Sequence, residues 1–356
     1  MGVPHGRGSA PGGENLTPRA AIVASDAVDT WDVAPSRLPC IAGRPAHSIG
    51  SSFVPALLQM AMTSFETTTR ERIDALADSL TPAERTPDAD RFLRALRDTS
   101  PTTIRQAPAA AQRALARTKN PDIGLGQLVQ VVEEDPTLGQ ALLRYANSAY
   151  YSTGSVVVSL RQAAQRVGAS GVHNVVLGVM LEGMLCRPGG EFQAMVDQVR
   201  SHLVRTAPIA RAIARSFGVP ADEAFSLALL HDAGKLIVFD LVGTLRHDLR
   251  RDLSISRDVM SRVLKDVHET LGGMAVVHWG LGEHVAEIIA THHRAAPPAT
   301  PNTMSELLFV AERAEHAVSG VIPMDIEQWW KDGQITTPID RVRDILTNYS
   351  ATDLAA

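Results

Sequence analysis

From about residue 104 onward the apolar residues recur at helical spacing, and no stretch alternates apolar with polar. Leu125, Leu128, Val129 and Val132 fall at i, i+3, i+4 and i+7, the stripe of one buried helix face. Asp135-Pro136 reads as a helix start, with Asp as N-cap and Pro at the first helical position; Leu138, Leu142 and Leu143 follow it. Ser170 is placed to cap a helix over 171–185. Further helices are predicted over 196–217, 222–240, 256–278, 283–293 and 303–319, the last with a capping box of Thr303 and Glu306. The expected fold class is therefore all-α.

The remainder of the chain is patterned differently. Residues 1–50 are rich in Gly, Pro, Ser and Ala without a sustained period, and are expected to form a disordered tail. Residues 56–100 allow two short helices, near Phe65–Leu80 and Asp88–Leu96, and read as a linker or docking appendage. The expected division is tail and linker over 1–100, a main domain over 101–320 split into helical halves at 101–190 and 191–320, and a C-terminal extension over 321–356. No run approaches the roughly 18 apolar residues of a membrane span, and the N-terminus lacks the regions of a signal peptide. Two cysteines, Cys40 and Cys186, suit a reducing compartment. These features predict a cytoplasmic protein without membrane association. A net charge of −5 and an aromatic content of 4% give no pull toward nucleic acid.

His231-Asp232-Ala233-Gly234-Lys235 carries the most chemistry. It lies late in the apolar run Phe225–Leu236, where an ionisable pair is costly unless it is paired or holds a cation. Gly234 leaves room for a close approach, and Lys235 is placed to meet an anion. Taken alone, the dipeptide reads first as a buried His–Asp hydrogen bond that pins a helix. Other ionisable side chains sit at or beside buried stripes: His202 by Thr206, Ile209 and Ile213; His268 by Val267; His292 and His293 after Val285, Ile288 and Ile289; Glu312 after Ala311. Singly each reads as a satisfied core or boundary residue. Jointly, five predicted helices carry a His or carboxylate at a buried face, the supply a nitrogen and oxygen metal site needs.

The order His202, His231-Asp232-x-Gly-Lys235, His268-Glu-Thr-Leu-Gly-Gly, Trp279-Gly-Leu and His292-His293 resembles the HDOD domain. Upstream, Glu134-Asp135-Pro136-Thr-Leu, Leu143-Arg-Tyr-Ala-Asn-Ser-Ala-Tyr-Tyr151 and Ser159–Leu185 resemble the N-terminal helical half of that domain. HDOD domains are similar to HD phosphohydrolases and to HD-GYP cyclic-di-GMP phosphodiesterases. The resemblance implies a core metal set of His202, His231, Asp232 and Glu312, with Glu where the pattern expects Asp. It implies further metal ligands at His268, His292 and His293, and a phosphate contact at Lys235 if the protein is an enzyme. The implied metal is divalent, Fe, Mn or Mg, and no organic cofactor is implied. After His292-His293 the HD-GYP pattern continues into a substrate-positioning loop, whereas this chain reads Arg294-Ala-Ala-Pro-Pro.

Three readings follow. The resemblance favours a bacterial signal-transduction protein whose HDOD domain is a non-catalytic interaction module, with a signalling protein as partner and a homodimer as one assembly. The retained ligand set favours a metal-dependent phosphohydrolase acting on a nucleotide or phosphodiester. A structural metal that only ties helices together is the third.

Overall fold

The computed structural model describes residues 54–105, 109–118, 120, 122–148, 150–151, 154–184, 190–293 and 302–349. The expected tail over 1–50, both cysteines and the segment after the histidine pair lie outside them. Among the described residues there is no strand. The helices in chain order are α1 (Val54–Ser79), α2 (Pro87–Arg97), α3 (Ala109–Thr118), α4 (Leu125–Glu133), α5 (Pro136–Ala146), α6 (Leu160–Met184), α7 (Gln193–Ile213), α8 (Ala221–Leu230), α9 (Ala233–Leu249), α10 (Arg257–His278), α11 (Glu283–Ile289), α12 (Thr303–Val318), α13 (Ile326–Asp332) and α14 (Asp340–Asn348).

Local chemistry explains several boundaries. Asp135 caps α5 by accepting the Thr137 N–H at 2.8 Å, with Pro136 in the first turn. Gly168, at φ 71°, divides α6, so the helix expected over 171–185 is its second segment. The expected capping box on α12 is not formed. Asn302 is the cap, accepting from the N–H groups of Met304 at 2.9 Å and Ser305 at 3.3 Å. Glu306 points away from that helix end and accepts from the backbone N–H groups of Thr336 at 3.0 Å and Thr337 at 3.2 Å. It thereby ties the C-terminal segment to α12.

Two apolar clusters form the interior. One is built by α3 to α8, α11 and α12 and extends to Trp329 of α13 and Val342 and Leu346 of α14. The other joins α1 and α2 to α9 and α10 through Ile73, Leu76, Phe92, Leu96, Val238, Phe239, Val259 and Val263. The two short helices expected near Phe65–Leu80 and Asp88–Leu96 are α1 and α2, and residues 62–97 are built into the core. Their pattern is helical once Thr69, buried against Thr270 by a 2.6 Å hydrogen bond, is counted with its apolar neighbours.

The Asn147–Tyr151 motif joins the two halves. Asn147 donates to the Leu143 and Val157 carbonyls at 2.9 and 2.8 Å and accepts the Val157 N–H at 2.8 Å, which closes the loop after α5. Tyr145, Tyr150, Tyr151 and Phe225 then surround the buried guanidinium of Arg211, with Asp222 as its 2.8 Å ion-pair partner. Burial pushes the Tyr145 and Tyr151 hydroxyls up, so both stay neutral beside that cation.

Candidate metal centre

The expected continuous helix over 222–240 is interrupted, and the interruption makes the site. His231 and Asp232 form the turn between α8 and α9, with Asp232 at φ −100°, ψ 15°. Just past the break, Gly234 permits a close seat. A Cβ there would sit 1.8 Å from the His268 carbonyl oxygen and 2.7 Å from the Gly272 nitrogen, so the start of α9 is seated directly on α10. A straight helix would carry Asp232 around the cylinder; the turn directs both side chains into one buried space.

Around that space the structure gathers every candidate ligand named from the sequence. His202 comes from α7, His231 and Asp232 from the turn, His268 from α10, His292 and His293 from the turn after α11, and Glu312 from α12. The His202 and His231 Nε2 atoms are 3.1 Å apart, and His231 Nε2 is 3.4 Å from Glu312 Oε1. Asp232 bridges the two sides of the cluster. Its Oδ2 lies 3.6 Å from His231 Nε2, and its Oδ1 lies 3.5 Å from His268 Nε2 and 3.7 Å from His292 Nε2. Lys235 holds Asp232 Oδ2 at 2.7 Å.

The imidazoles share an orientation. His231 Nδ1 lies 2.7 Å from the Ala228 carbonyl, His268 Nδ1 3.2 Å from that of Lys265, and His292 Nδ1 2.6 Å from that of Ile289. A carbonyl only accepts, so each Nδ1 carries the hydrogen, and in the neutral ring Nε2 keeps its lone pair. His202 follows suit with the Glu315 carboxylate, at 2.7 Å. Four Nε2 edges therefore converge on two carboxylates. Burial alone would lower the His292 ring, but Asp232 and Glu312 outweigh it and raise it to about 9, so without a cation that ring takes up a proton beside them. The Nε2 atoms of His268 and His292 and Asp232 Oδ1 are buried without a hydrogen-bond partner. Unpaired buried acceptors facing one another are costly unless a cation or protons lie between them.

The donors form overlapping sets, Asp232, His268, His292 and His293 on one side and His202, His231 and Asp232 on the other, each with ligand atoms within 4.8 Å of one another. His231, His292 and Glu312 form a third set. The residues fit a divalent cation by donor chemistry and by the orphaned atoms. Burial drives the His268 ring well below its ordinary pKa, aided by Lys235, which keeps the imidazole neutral and ligand-competent. Burial alone would raise the Asp232 carboxyl, but Lys235 and His231 outweigh it and hold the group well below the usual range.

Two supporting carboxylates were not among the residues named from sequence. Glu315, buried on α12, accepts from His202 through Oε2 and from Arg205 and Ser319 through Oε1, both at 2.7 Å. Burial would raise its carboxyl, yet these partners bring it down to about 2. The signal for it was available: Glu315 continues the Met304, Leu308, Ala311 stripe at i+11. Glu269, the second, binds the His293 backbone N–H at 2.9 Å.

Residues 104–295, more than half of the 356-residue chain, match the HDOD domain. The chain belongs to the HDOD family. A curated relative from Treponema pallidum (strain Nichols), called an uncharacterized protein, is 24% identical over 211 residues. That match takes in 58% of this chain but only 40% of the relative's length. Among solved structures, a Shewanella amazonensis SB2B protein provisionally assigned as a metal-dependent phosphohydrolase is similar at a TM-score of 0.55 and 15% identity, over 76% of this chain and 95% of that one. A Marinobacter aquaeolei VT8 protein provisionally assigned to signal transduction is similar at 0.55 and 20% identity, over 82% of this chain and 65% of that one. Both likenesses concern the fold. No helix among the described residues is long and apolar enough to cross a membrane.

Proposed function

We propose that this HDOD protein is a signalling module whose helical core holds a divalent cation and presents its state to a partner protein in the cytoplasm. The observation that carries the cation is the shared orientation of His202, His231, His268 and His292, each turning its Nδ1 to a carbonyl or carboxylate outside the cluster and its Nε2 edge inward. Several imidazoles with a few carboxylates favour Fe or Mn over Mg, which prefers an all-oxygen shell. The signalling role is supported by family membership and by the relative assigned to signal transduction. Tyr150, Val156 and Val158 leave large apolar side chains exposed on one short segment, a feature of surfaces that meet other proteins.

The test is elemental analysis of protein purified without chelator, alongside His231→Ala. Bound Fe or Mn in the wild type, lost in the variant, is the expected result. A wild-type protein that carries no transition metal, and whose melting temperature does not move with added manganese, would overturn the reading.

A second reading, a metal-dependent phosphohydrolase, is favoured by the full donor set and by the Shewanella relative. A cation in this site would supply Lewis-acid polarisation of a phosphoryl oxygen. Lys235 would neutralise charge at the site mouth, and Glu315 would keep the His202 ring aimed inward. Against it stand the Arg294-Ala-Ala-Pro-Pro continuation and the engagement of Lys235 by Asp232. Hydrolysis of bis-p-nitrophenyl phosphate with manganese, abolished in Lys235→Ala with metal content intact, would select this reading instead.

A further inference from the structure

The helix α1 lies wholly before the matched family segment, which begins at residue 104. It nevertheless reaches the back of the histidine cluster. Arg72 of α1 donates through Nη1 to the Asp266 carbonyl at 2.9 Å and to Glu269 Oε2 at 3.2 Å. The other oxygen of Glu269 accepts the His293 backbone N–H at 2.9 Å. One carboxylate thus links an arginine of α1 to the turn that carries His292 and His293. Its neighbour His268 faces the same cluster from α10.

The surrounding packing makes this link stiff. Thr69 of α1 donates to Thr270 at 2.6 Å, and both side chains are buried. At Gly273 three elements meet. A Cβ there would lie 2.9 Å from the Ala290 Cβ, 3.1 Å from the Ala286 carbonyl and 3.2 Å from the Phe65 ring. The turn after α11 is tied back to its own helix by the Thr291 hydroxyl on the Glu287 carbonyl at 2.8 Å and by His292 Nδ1 at 2.6 Å from the Ile289 carbonyl. The Glu269 contact with the His293 N–H instead ties it to α10 and, through Arg72, to α1. A histidine in a turn holds its ring in place only if the turn is held.

We infer that Arg72 and Glu269 are positioning residues for the second donor set: the pair clamps the 290–293 turn so that His292 and His293 meet Asp232 and His268. Assembly of that set then depends on α1, a segment outside the family domain. The first set, His202, His231 and Asp232, is carried by α7 and the α8–α9 turn and does not touch the clamp. The claim rests on the cation reading above, and the experiment keeps the two apart.

Cobalt(II) titration of the full chain, followed by its visible absorption spectrum, reads both donor sets. Arg72→Ala should weaken one cobalt equivalent by about 10-fold, the lower range for groups that orient ligands, and leave the other unchanged. Arg72→Lys, which can still donate to Glu269, should recover most of the loss. Amide exchange at His293 in the metal-free protein supplies a measurement that needs no metal. Exchange should speed by about 10-fold in Arg72→Ala and in Glu269→Ala, as for a released hydrogen bond to a charged acceptor. Equal cobalt binding in the wild type and Arg72→Ala would overturn the inference. If the wild type binds no cobalt, the cation reading falls, and the exchange experiment alone decides the clamp. Unchanged His293 exchange in both variants would end it.

Discussion

Helices α3 to α6 and the region from α7 to α12 bury their residues by opposite rules. In α3 to α6 the buried side chains are almost all apolar, Leu128, Val131, Leu138, Leu142, Val172, Val176 and Met180 among them, with Thr118 and Asn174 as the polar exceptions. In α7 to α12 the interior also holds Arg211, His231, Asp232, His268, Glu269, His292, Glu312 and Glu315. The first half stabilises by removing apolar surface from water, at roughly 25 cal/mol per Å². The second gives up some of that gain to hold charges and lone pairs together, which is a cost unless each has a partner. The lesson is that the candidate site lies where the burial rule is broken, and that the unbroken half is a platform for it.

The comparison is broken most severely at glycine. Gly234→Ala would drive a Cβ into the His268 carbonyl at 1.8 Å, and backbone on both sides cannot yield. No folded protein is expected, read as loss of the cooperative thermal transition. In the platform half, a Cβ on Gly126 of α4 meets nothing within 4 Å. Gly126→Ala should therefore fold normally and gain up to about 1 kcal/mol from helix propensity. A well-folded Gly234→Ala protein would show that α9 does not need its close seat on α10.

The second difference separates stability from the site. Leu142, fully buried on α5, should cost about 2–5 kcal/mol on truncation to alanine, by lost transfer energy and cavity formation. Its effect on bound metal should be nil below the melting transition. Glu315→Gln should do the reverse. It keeps the side-chain volume but weakens the hold on His202, so metal affinity should drop about 10-fold with little change in the apolar core. Urea denaturation paired with metal analysis of each variant checks both arms. Equal metal loss in Leu142→Ala would mean that the halves are not separable in this way.

Much of this was legible in the sequence, for physical reasons that can be named. Apolar spacing at 3.6 residues is a direct image of a buried helix face, so α4, α5, α10 and α12 were readable to within a few residues. The break at His231-Asp232 was not, because the apolar run continues across it without Pro. The close approach that accompanies it, of His268 to Gly234, comes from a residue 34 positions later. In the segment 56–100 the two helices were readable but the depth of their docking was not, for a related reason: Thr68 and Thr69 look like surface residues until Thr270 is seen opposite Thr69. Ligand candidates stood out because a His or carboxylate on an apolar stripe is conspicuous. Glu269 did not, since its value lies in Arg72 and a backbone N–H that no local pattern reveals.

The smallest expected effect tests the docking of that segment by pH. Asp88 in the first turn of α2 accepts from Arg251 at 2.7 Å through each carboxylate oxygen and from the Ser254 N–H at 2.9 Å, which pins α2 to the loop before α10. The Arg251 hydrogen bonds, helped by the Ser254 N–H, lower its carboxyl from the ordinary 3.8 to about 2. A carboxyl depressed in the folded state adds stability that is complete above the unfolded value and is lost as pH falls through the folded one. Wild type should thus exceed Asp88→Asn in stability at neutral pH by roughly 1–2 kcal/mol, discounted because Arg251 is half exposed. The gap should hold as pH falls to about 4 and close between there and about 2. Paired urea melts across that window give the answer. A gap that stays constant through the window would mean that Asp88 is not held as its carboxylate by Arg251. A gap of zero at neutral pH would mean that α2 is docked by its apolar face, Phe92, Leu93 and Leu96, without help from the ion pair.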